Sequence, residues 1–308
     1  MQRDLNTKPV VHPDMANLKE IRTRIQSVTS TRQITSAMKM VSAAKLRKAQ
    51  DAIIQMRPYA NKLHEILENL TASLDKVTEN VYTRQSELKR ILLVVITSNR
   101  GLCGAFNANV AKKVIQVIEE EYKQLHNSGK VEIITIGKKG HDMLRQRGYD
   151  PVISYHEIFD TLTFEQVVPI TSGIMKDFAQ GLYDRIELFY NQFRNAATQD
   201  LVRELFLPVV REEKFEDRFE TMPDFILEPS KHEIIEELIP KSLRIQFYKT
   251  LLDSHASEHG ARMTAMHKAT DNATDLIKEL QLNYNKARQS AITKEILEIV
   301  SGAEALKS

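Results

Sequence analysis

The sequence predicts an α/β protein with a long α-helical coiled coil, in which N- and C-terminal helices pair antiparallel and a central Rossmann-like α/β domain lies between them in the chain. Three observations support this fold class. Eight of the ten glycines lie between Gly101 and Gly181, so turns are concentrated in the middle of the 308 residues. Both ends carry narrow apolar seams at helical spacing, whereas the middle alternates strand-like and helix-like segments.

The N-terminal segment has the signals of a long helix. Asn17 and Glu20 have the spacing of a capping box, and Pro58 predicts a kink. The apolar residues recur in three- and four-residue steps, which makes a seam wide enough for one partner helix. This seam comprises Leu18, Ile21, Ile25, Val28, Ile34, Met38, Val41, Ala60, Leu63, Leu67, Leu70 and Leu74.

The C-terminal segment has a similar pattern. Ser230 and Glu233 form a second capping box, and Pro240 is well placed to open the next helix. Because neither terminal helix can bury its seam alone, we expect the two to pair. The C-terminal seam comprises Met263, Met266, Ala269, Ala273, Leu276, Leu280, Asn283 and Ala287.

The central segment changes to a shorter apolar period. Five strands are predicted, at Ile91–Thr97, Val131–Gly137, Val152–Phe159, Ile186–Phe193 and Leu201–Val210. Helices are predicted between the earlier strands, at Val110–Leu125, His141–Arg147 and Phe164–Tyr183. This alternation indicates a largely parallel sheet covered on both faces. The predicted domains are a flexible N-terminal extension (1–14), an N-terminal shaft helix (15–76), the α/β domain (88–229) and a C-terminal shaft helix (230–308).

Composition and charge narrow the possible functions. The 42% hydrophobic and 27% charged content suits a protein with a core and large exposed surfaces. No apolar run is long enough to insert into a membrane. Residues 15–50 hold eight basic residues and one acidic residue, so this end should bind an acidic partner. The basic stretch lacks interleaved aromatics and any groove-reading motif, so nucleic acid is not expected.

Two turns in the α/β domain resemble phosphate loops only superficially. Ser98–Gly104 follows the first strand but lacks the spacing of a P-loop, and Gly137–Gly140 is only G-x-x-G. We therefore expect tight turns and no nucleotide cofactor. Cys103 is the only cysteine, which excludes an intrachain disulfide, and a small buried thiol packing the turn is favoured over a nucleophile.

One motif suggests a metal site. His255, Glu258 and His259 form an H-x-x-E-H pattern, as in one class of zinc peptidases. A zinc hydrolase would need a third ligand and an enclosed cleft, and the motif lies within a predicted rod helix. The pattern favours two solvated histidines, with a zinc hydrolase as the alternative.

Three motif blocks carry a family resemblance. Met15–Arg22 with Ile34–Lys45, the turn Ser98–Phe106, and Ser257–Met266 with Leu280–Gly302 closely resemble the signatures of the gamma subunits of rotary F-type ATP synthases. His259 and Gly260 depart from the pattern, since the family usually has Gln and a small residue there. The regulatory cysteine pair of plant chloroplast members is absent from this sequence.

The resemblance implies a non-catalytic rotor shaft. In the family, the paired helices stand inside the ring of alpha and beta subunits, and the α/β domain holds epsilon and the c-ring on the membrane side. Rotation of the c-ring by proton flow is thereby coupled to ATP synthesis or hydrolysis. The implied location is the cytoplasmic face of a bacterial plasma membrane, in preference to a mitochondrial matrix or chloroplast stroma. A coiled-coil scaffold unrelated to rotary motors is the alternative.

The resemblance also implies which residues contact the catalytic ring. Residues at positions that meet catch loops on beta are Arg262, Arg288, Gln289 and Thr293. Met38 and Lys39 match the place where the shaft meets an acidic lever of beta, and a basic track facing the same region comprises Lys45, Lys48 and Arg100. No catalytic, cofactor-binding or metal-binding residue is implied.

Overall fold

The computed structural model describes residues 13–72, 81–84, 86–159, 161–209 and 231–305. Its helices are α1 (Pro13–Ala72), α2 (Phe106–Glu120), α3 (Lys123–Asn127), α4 (Lys138–Arg145), α5 (Phe164–Ala179) and α6 (Lys231–Ala305). Short 3-10 turns lie at Val81–Thr83 and Glu157–Phe159. The chain divides into two compact units, of which the first comprises the described residues 13–40 and 266–305, and the second Val41–Ala265.

The predicted helix starts differ from the observed ones. Asn17 lies inside α1, which begins at Pro13, so its predicted capping role is wrong. Proline suits a first helical turn because its φ is fixed there and its missing N–H costs nothing. Pro240 likewise does not open a helix, since α6 is continuous through it. Ser230 and the other predicted features in 210–230 lie outside the described residues, as do residues 1–12 and Leu74.

The central domain contains one five-stranded sheet of order β3-β2-β1-β4-β5. Its strands are β1 (Ile91–Ile96), β2 (Val131–Ile136), β3 (Ile153–Tyr155), β4 (Arg185–Phe193) and β5 (Gln199–Leu207). β1 pairs in parallel with β2 and β4, and β2 with β3, whereas β5 runs antiparallel to β4. The largely parallel sheet is thus confirmed. The third predicted strand is shorter than expected, because a 3-10 turn takes over its second half.

The sheet is buried on both faces, which explains the uninterrupted apolar sequence of β1. Ile91, Leu93 and Val95 face a core formed with α2 and α4. Leu92, Val94 and Ile96 face the opposite core, to which α5 contributes Phe178 and α6 contributes Phe247. The C-terminal helix is therefore part of the domain core as well as of the coiled coil.

The terminal helices α1 and α6 pack against each other in antiparallel fashion. In the second unit, an apolar cluster joins Leu46 and Ile53 of α1 to Leu252 and Ala256 of α6. In the first unit, Thr35 of α1 contacts Thr270 of α6. Residues that come later in α1 therefore pair with residues that come earlier in α6, as the antiparallel prediction requires.

The seam of α1 is partly mispredicted. Ile34 and Val41 are 61% and 58% exposed, whereas their neighbours Thr35 and Ser42 are buried. The buried positions of α1 follow a seven-residue repeat. Thr35 and Ser42 occupy two of these positions, and because both side chains are small and polar, a search for apolar residues does not find them. In α6 the predicted residues Met266, Ala273 and Leu280 are buried, but Asn283 is exposed.

Within the described part of the chain, no helix carries an eighteen-residue stretch apolar enough to cross a bilayer.

Candidate functional site

The turn after β1 is held by buried side chains. The Asn107 side-chain oxygen accepts a 2.9 Å hydrogen bond from the Ser98 backbone N–H, and its NH₂ group lies 3.2 Å from the Cys103 sulfur. Cys103 is buried and free, as expected for a thiol that packs a turn. Burial raises the pKa of this thiol, which keeps it protonated and unreactive. Leu102 at the tip adopts a positive φ of 64° and is exposed.

The second glycine-containing turn packs against the first. Gly137 has φ 107°, and a Cβ there would overlap the Thr97 carbonyl group. The backbone N–H of Gly140 donates a 2.8 Å hydrogen bond to the Thr97 hydroxyl. The G-x-x-G spacing is therefore explained by the close approach of both glycines to Thr97.

Helix α6 crosses this edge of the sheet and places Arg262 on the turn after β1. The Arg262 guanidinium donates hydrogen bonds to the backbone carbonyls of Arg100, at 3.1 Å, and Gly101. It also forms a 2.5 Å ion pair with Glu258, one helical turn earlier. Burial raises the pKa of Glu258 above its ordinary value. The hydrogen bond from Arg262 and the positive charges of Arg262, Lys45 and Arg100 offset only part of this rise. Both members of the pair are buried and engaged within the chain.

The same part of α6 touches the loop between β4 and β5. The Thr264 hydroxyl donates a 3.1 Å hydrogen bond to the carbonyl oxygen of Ala196. A Cβ at Gly260 would lie 3.0 Å from that oxygen, so the helix approaches the loop as closely as glycine allows. Gly260, which departs from the family pattern, is thus explained by a close packing contact.

In the H-x-x-E-H motif His259 is buried and His255 is half-buried, so the expectation of two solvated histidines is wrong. His255 stacks on Phe159 at 5.7 Å, and its ring lies 4.5 Å from that of His259, measured between centroids. Burial lowers the pKa of His255 to about 4 and that of His259 to about 3, with nearby Lys45 contributing to both shifts. Both rings are therefore neutral near pH 7.

The donor arrangement does not support the zinc alternative. A histidine that binds a metal ion normally donates its other ring N–H to a group that orients it. Neither ring nitrogen of His259 has a hydrogen-bond partner among the described residues, and Glu258 is paired with Arg262. No group of three His, Cys, Asp or Glu side chains suited to holding a metal ion occurs where the structure describes the chain. The motif is a packing feature of α6.

The second unit brings together four of the nine predicted contact residues. Lys45 and Lys48 of α1 are exposed and lie close enough to His255 to lower its pKa. Arg100 is exposed on the turn after β1, above the carbonyl groups that Arg262 holds. Lys45 and Arg100 thus lie near the buried Glu258–Arg262 pair, and Lys48 lies near His255.

The first unit contains the other five predicted contact residues. Met38 and Lys39 are half-buried on α1. Arg288, Gln289 and Thr293 are exposed on α6, and the Thr293 hydroxyl donates a 2.9 Å hydrogen bond to the Gln289 carbonyl. From Ile292 onward, α6 also exposes the large apolar residues Ile292, Ile296, Leu297, Ile299 and Val300.

Comparison with known proteins identifies the family. The family model described as ATP synthase matches residues 17–306. The chain is 54% identical to the ATP synthase gamma chain of Cytophaga hutchinsonii over 96% of its own length and all of that relative. It is 58% identical to the gamma chain of Flavobacterium johnsoniae, over 95% of this chain and 99% of the other. The chain belongs to the ATP synthase gamma chain family.

The fold agrees with that of a chain in a solved ATP synthase rotor. The structure matches a chain of the rotor of the Euglena gracilis mitochondrial ATP synthase with a TM-score of 0.63 and 22% identity, covering 90% of this chain and 99% of that one. The predicted resemblance is thereby confirmed, and the unrelated scaffold and zinc hydrolase are not supported. As a member of the gamma chain family, the protein is the central rotor shaft of an ATP synthase.

Sequence reasoning missed the contacts that organise the gamma chain site. Glu258 and Arg262 are four residues apart on a helix, a spacing that could have predicted their ion pair. The bonds from Arg262 to Arg100 and Gly101 join residues more than 160 positions apart, and no local pattern signals them. The approach of Ala196 to Gly260 is equally non-local.

Proposed function

We propose that this rotor shaft acts on the alpha and beta subunits through two surfaces and contains no catalytic group of its own. The first surface, the α6 end surface, comprises Arg288, Gln289 and Thr293 together with the exposed apolar residues Ile292, Ile296, Leu297, Ile299 and Val300. The second, the cationic surface, comprises Lys45, Lys48 and Arg100. Met38 and Lys39 of α1 complete the proposed contacts. Arg262 is buried and supports the cationic surface by binding the backbone carbonyl of Arg100.

The α6 end surface carries the proposal. Ile292, Ile296, Ile299 and Val300 recur at helical spacing and are all exposed, together with Leu297. Monomeric surfaces rarely expose so many large aliphatic side chains in one continuous region, and such patches mark protein partners. Arg288 and Gln289 add exposed hydrogen-bond donors at the start of this region, which would give an otherwise apolar contact its orientation.

The cationic surface suits an acidic partner. Its three side chains are exposed, and the buried Glu258–Arg262 pair nearby holds no spare negative charge. Attraction between exposed charges strengthens or weakens as one surface turns past another, so an acidic element of beta would sense the rotation angle of the shaft. Asymmetric contact energies of this kind would bias the catalytic sites in turn.

The packing of the two glycine-containing turns supports a non-catalytic role. Thr97 packs against Gly137 and Gly140, and the carbonyls of Arg100 and Gly101 are bound by Arg262. We propose that ATP synthesis and hydrolysis occur on the alpha and beta subunits, and that c-ring rotation, driven by proton flow, turns this chain. The α/β domain would hold epsilon and the c-ring, at the cytoplasmic face of a bacterial membrane.

Proton pumping by the assembled synthase tests the α6 end surface. In vesicles containing the complete complex, the triple substitution Arg288→Ala, Gln289→Ala and Thr293→Ala should lower ATP-driven proton pumping severalfold relative to ATP hydrolysis. Lys278→Ala is the matched control, because Lys278 is an exposed cation of the same helix in a surface pair with Asp275. Equal coupling in the triple variant and the control would refute the proposed contact.

A further inference from the structure

The order of the strands defines a crevice at one edge of the sheet. The connection from β1 goes through α2 and α3 to β2, whereas β4, the other neighbour of β1, is reached from β3 through α5. The loops after β1 and β4 therefore diverge at the carboxyl ends of these strands. In open α/β sheets, ligands bind at such a switch point.

In this protein a segment of α6 is in contact with both loops that border the crevice. Arg262 binds the carbonyls of Arg100 and Gly101 in the turn after β1. Thr264 binds the carbonyl of Ala196 in the loop after β4, and Gly260 packs against the same residue. Within one to two helical turns, α6 thus fills the position where a doubly wound domain would hold its ligand.

We propose that Glu258 and Arg262 form a latch that fixes the turn Ser98–Cys103 to the shaft helix, and that Arg262 is thereby a positioning residue for Arg100. The Arg100 side chain belongs to the cationic surface, so the functional half of this inference rests on the proposed function. The latch itself rests on the contacts within the chain alone.

The chemistry of arginine suits this task. Its guanidinium presents several donors in a fixed plane, so one side chain binds Glu258 and two backbone carbonyls at the same time. A lysine would supply the charge without the planar geometry. Glu258 orients Arg262 and neutralises it in a site where both side chains are only 9% exposed.

A purely structural role is the competing explanation, and paired substitutions separate the two. Arg262→Met alone leaves Glu258 buried without its counterion, so it should lower the melting temperature under either explanation. Adding Glu258→Met removes the unpaired charge and should return the melting temperature towards that of the unmodified complex. The double variant still lacks the bonds to Arg100 and Gly101.

Cys103 provides a local readout of the latch. It is buried in the turn that Arg262 holds, and burial raises its pKa, so it should react slowly with N-ethylmaleimide. It is the only cysteine of the chain, so the mass of the gamma chain reports its alkylation directly in the assembled synthase. Labelling of this thiol requires the turn to open, and a variant that is labelled faster at an unchanged melting temperature has opened it locally.

The experiment compares alkylation, melting temperature and coupled pumping on the same assembled complexes. We expect Glu258→Met/Arg262→Met to be labelled at least about tenfold faster than the unmodified protein, with a lower ratio of pumping to hydrolysis, at a similar melting temperature. Arg262→Lys should be labelled at a rate between those of the unmodified protein and the double variant. It replaces the double variant in the comparison if the double variant fails to assemble. Thr264→Val, which loosens only the other loop, should keep Cys103 protected.

Two outcomes would overturn the inference. Unchanged labelling in the double variant, and likewise in Arg262→Lys, would show that the turn needs no latch. Faster labelling with unchanged pumping would show that the latch exists but does not position Arg100 for coupling. The Arg288, Gln289 and Thr293 triple variant tests only the α6 end surface. Failure of the cationic surface would instead appear as normal coupling in Arg100→Ala, which leaves the latch intact, so the two proposals fail separately.

Discussion

The hydroxyl groups of Thr35 and Thr270 lie 2.8 Å apart and join α1 to α6 across 235 positions of the sequence. Thr35 is only 8% exposed, so this polar contact lies in the seam between the helices. The Thr270 hydroxyl is also 2.8 Å from the Met266 carbonyl, one turn earlier. A polar pair in the seam favours one register, because any slip separates the two groups.

Replacing one threonine of this pair should cost more than replacing both. Thr35→Val or Thr270→Val leaves the other hydroxyl without its partner across the seam, and should lower the free energy of unfolding by about 1 kcal/mol. The double substitution supplies two apolar side chains of similar shape and should recover most of that loss. Urea unfolding of the purified chain measures this, and single variants as stable as the unmodified chain would contradict it.

Gly260→Ala and Gly302→Ala should have opposite effects, although both lie in α6. A Cβ at Gly302 meets nothing within 4 Å, so this substitution should gain about 0.5–1 kcal/mol of helix stability. At Gly260 the Cβ would press on Ala196, whose backbone is tied to Thr264, so that gain should be lost or reversed. Thermal unfolding of the two variants measures this difference. Equal stabilisation by both would show that the loop containing Ala196 moves away from the new Cβ without cost.

The half-buried His255 and the buried His259 should make the fold sensitive to mild acid. The pKa of His255 is lowered to about 4 and that of His259 to about 3, chiefly by burial, against 6.5 for an ordinary histidine. Between pH 6.5 and 4 the unfolded chain therefore binds more protons than the folded one. Stability should fall with falling pH across this window, by on the order of 1.4 kcal/mol per pH unit for each histidine.

The control for this pH dependence is His259→Gln, which removes one of the two titrating groups. Its melting temperature should fall less between pH 6.5 and 4 than that of the unmodified protein, while the two curves stay parallel above pH 7. Parallel curves over the whole range would mean that His259 does not contribute to the acid sensitivity.

The ion pair of Glu187 and Arg203 should be important to the α/β domain. Arg203 donates two hydrogen bonds of 2.9 Å to the Glu187 carboxylate, whose side chain is 4% exposed. Arg203→Met would leave this carboxylate buried beside Tyr122 with only the more distant Arg185, at 3.9 Å, as a counterion, at a cost of about 3 kcal/mol. Arg194→Met is the control, since Arg194 pairs with Asp200 at the surface and should cost less than about 1 kcal/mol. Denaturant unfolding compares the two variants, and similar losses would contradict this ranking.

The sequence predicted the fold class because its periodicities are local. The change from seven-residue repeats to short apolar runs located the sheet, and the uninterrupted apolar run of β1 reflects burial on both faces. Local patterns could not reveal that Thr35 and Ser42 fill the seam in place of Ile34 and Val41, since this depends on the register of the partner helix.

The candidate site was less predictable for the same reason. The burial of His259 follows from packing between distant segments, and a two-residue-type motif on a helix cannot distinguish a buried pair from a solvated one. The residues expected to meet other subunits were placed by family resemblance. The chain's own contacts explain Arg262, which is held within the chain, whereas Arg288 and Gln289 remain exposed.

The joining of the two chain ends has a consequence for biosynthesis. The partner of Thr35 is made 235 residues later, which at roughly 5–20 residues per second is a delay of roughly 10–50 s on the ribosome. During that interval the nascent N-terminal helix has no seam to pack against, and Leu46 and Ile53 still lack Leu252. Its apolar stripe is then open to aggregation, so a chaperone that holds the emerging segment until translation ends would raise the yield of folded protein.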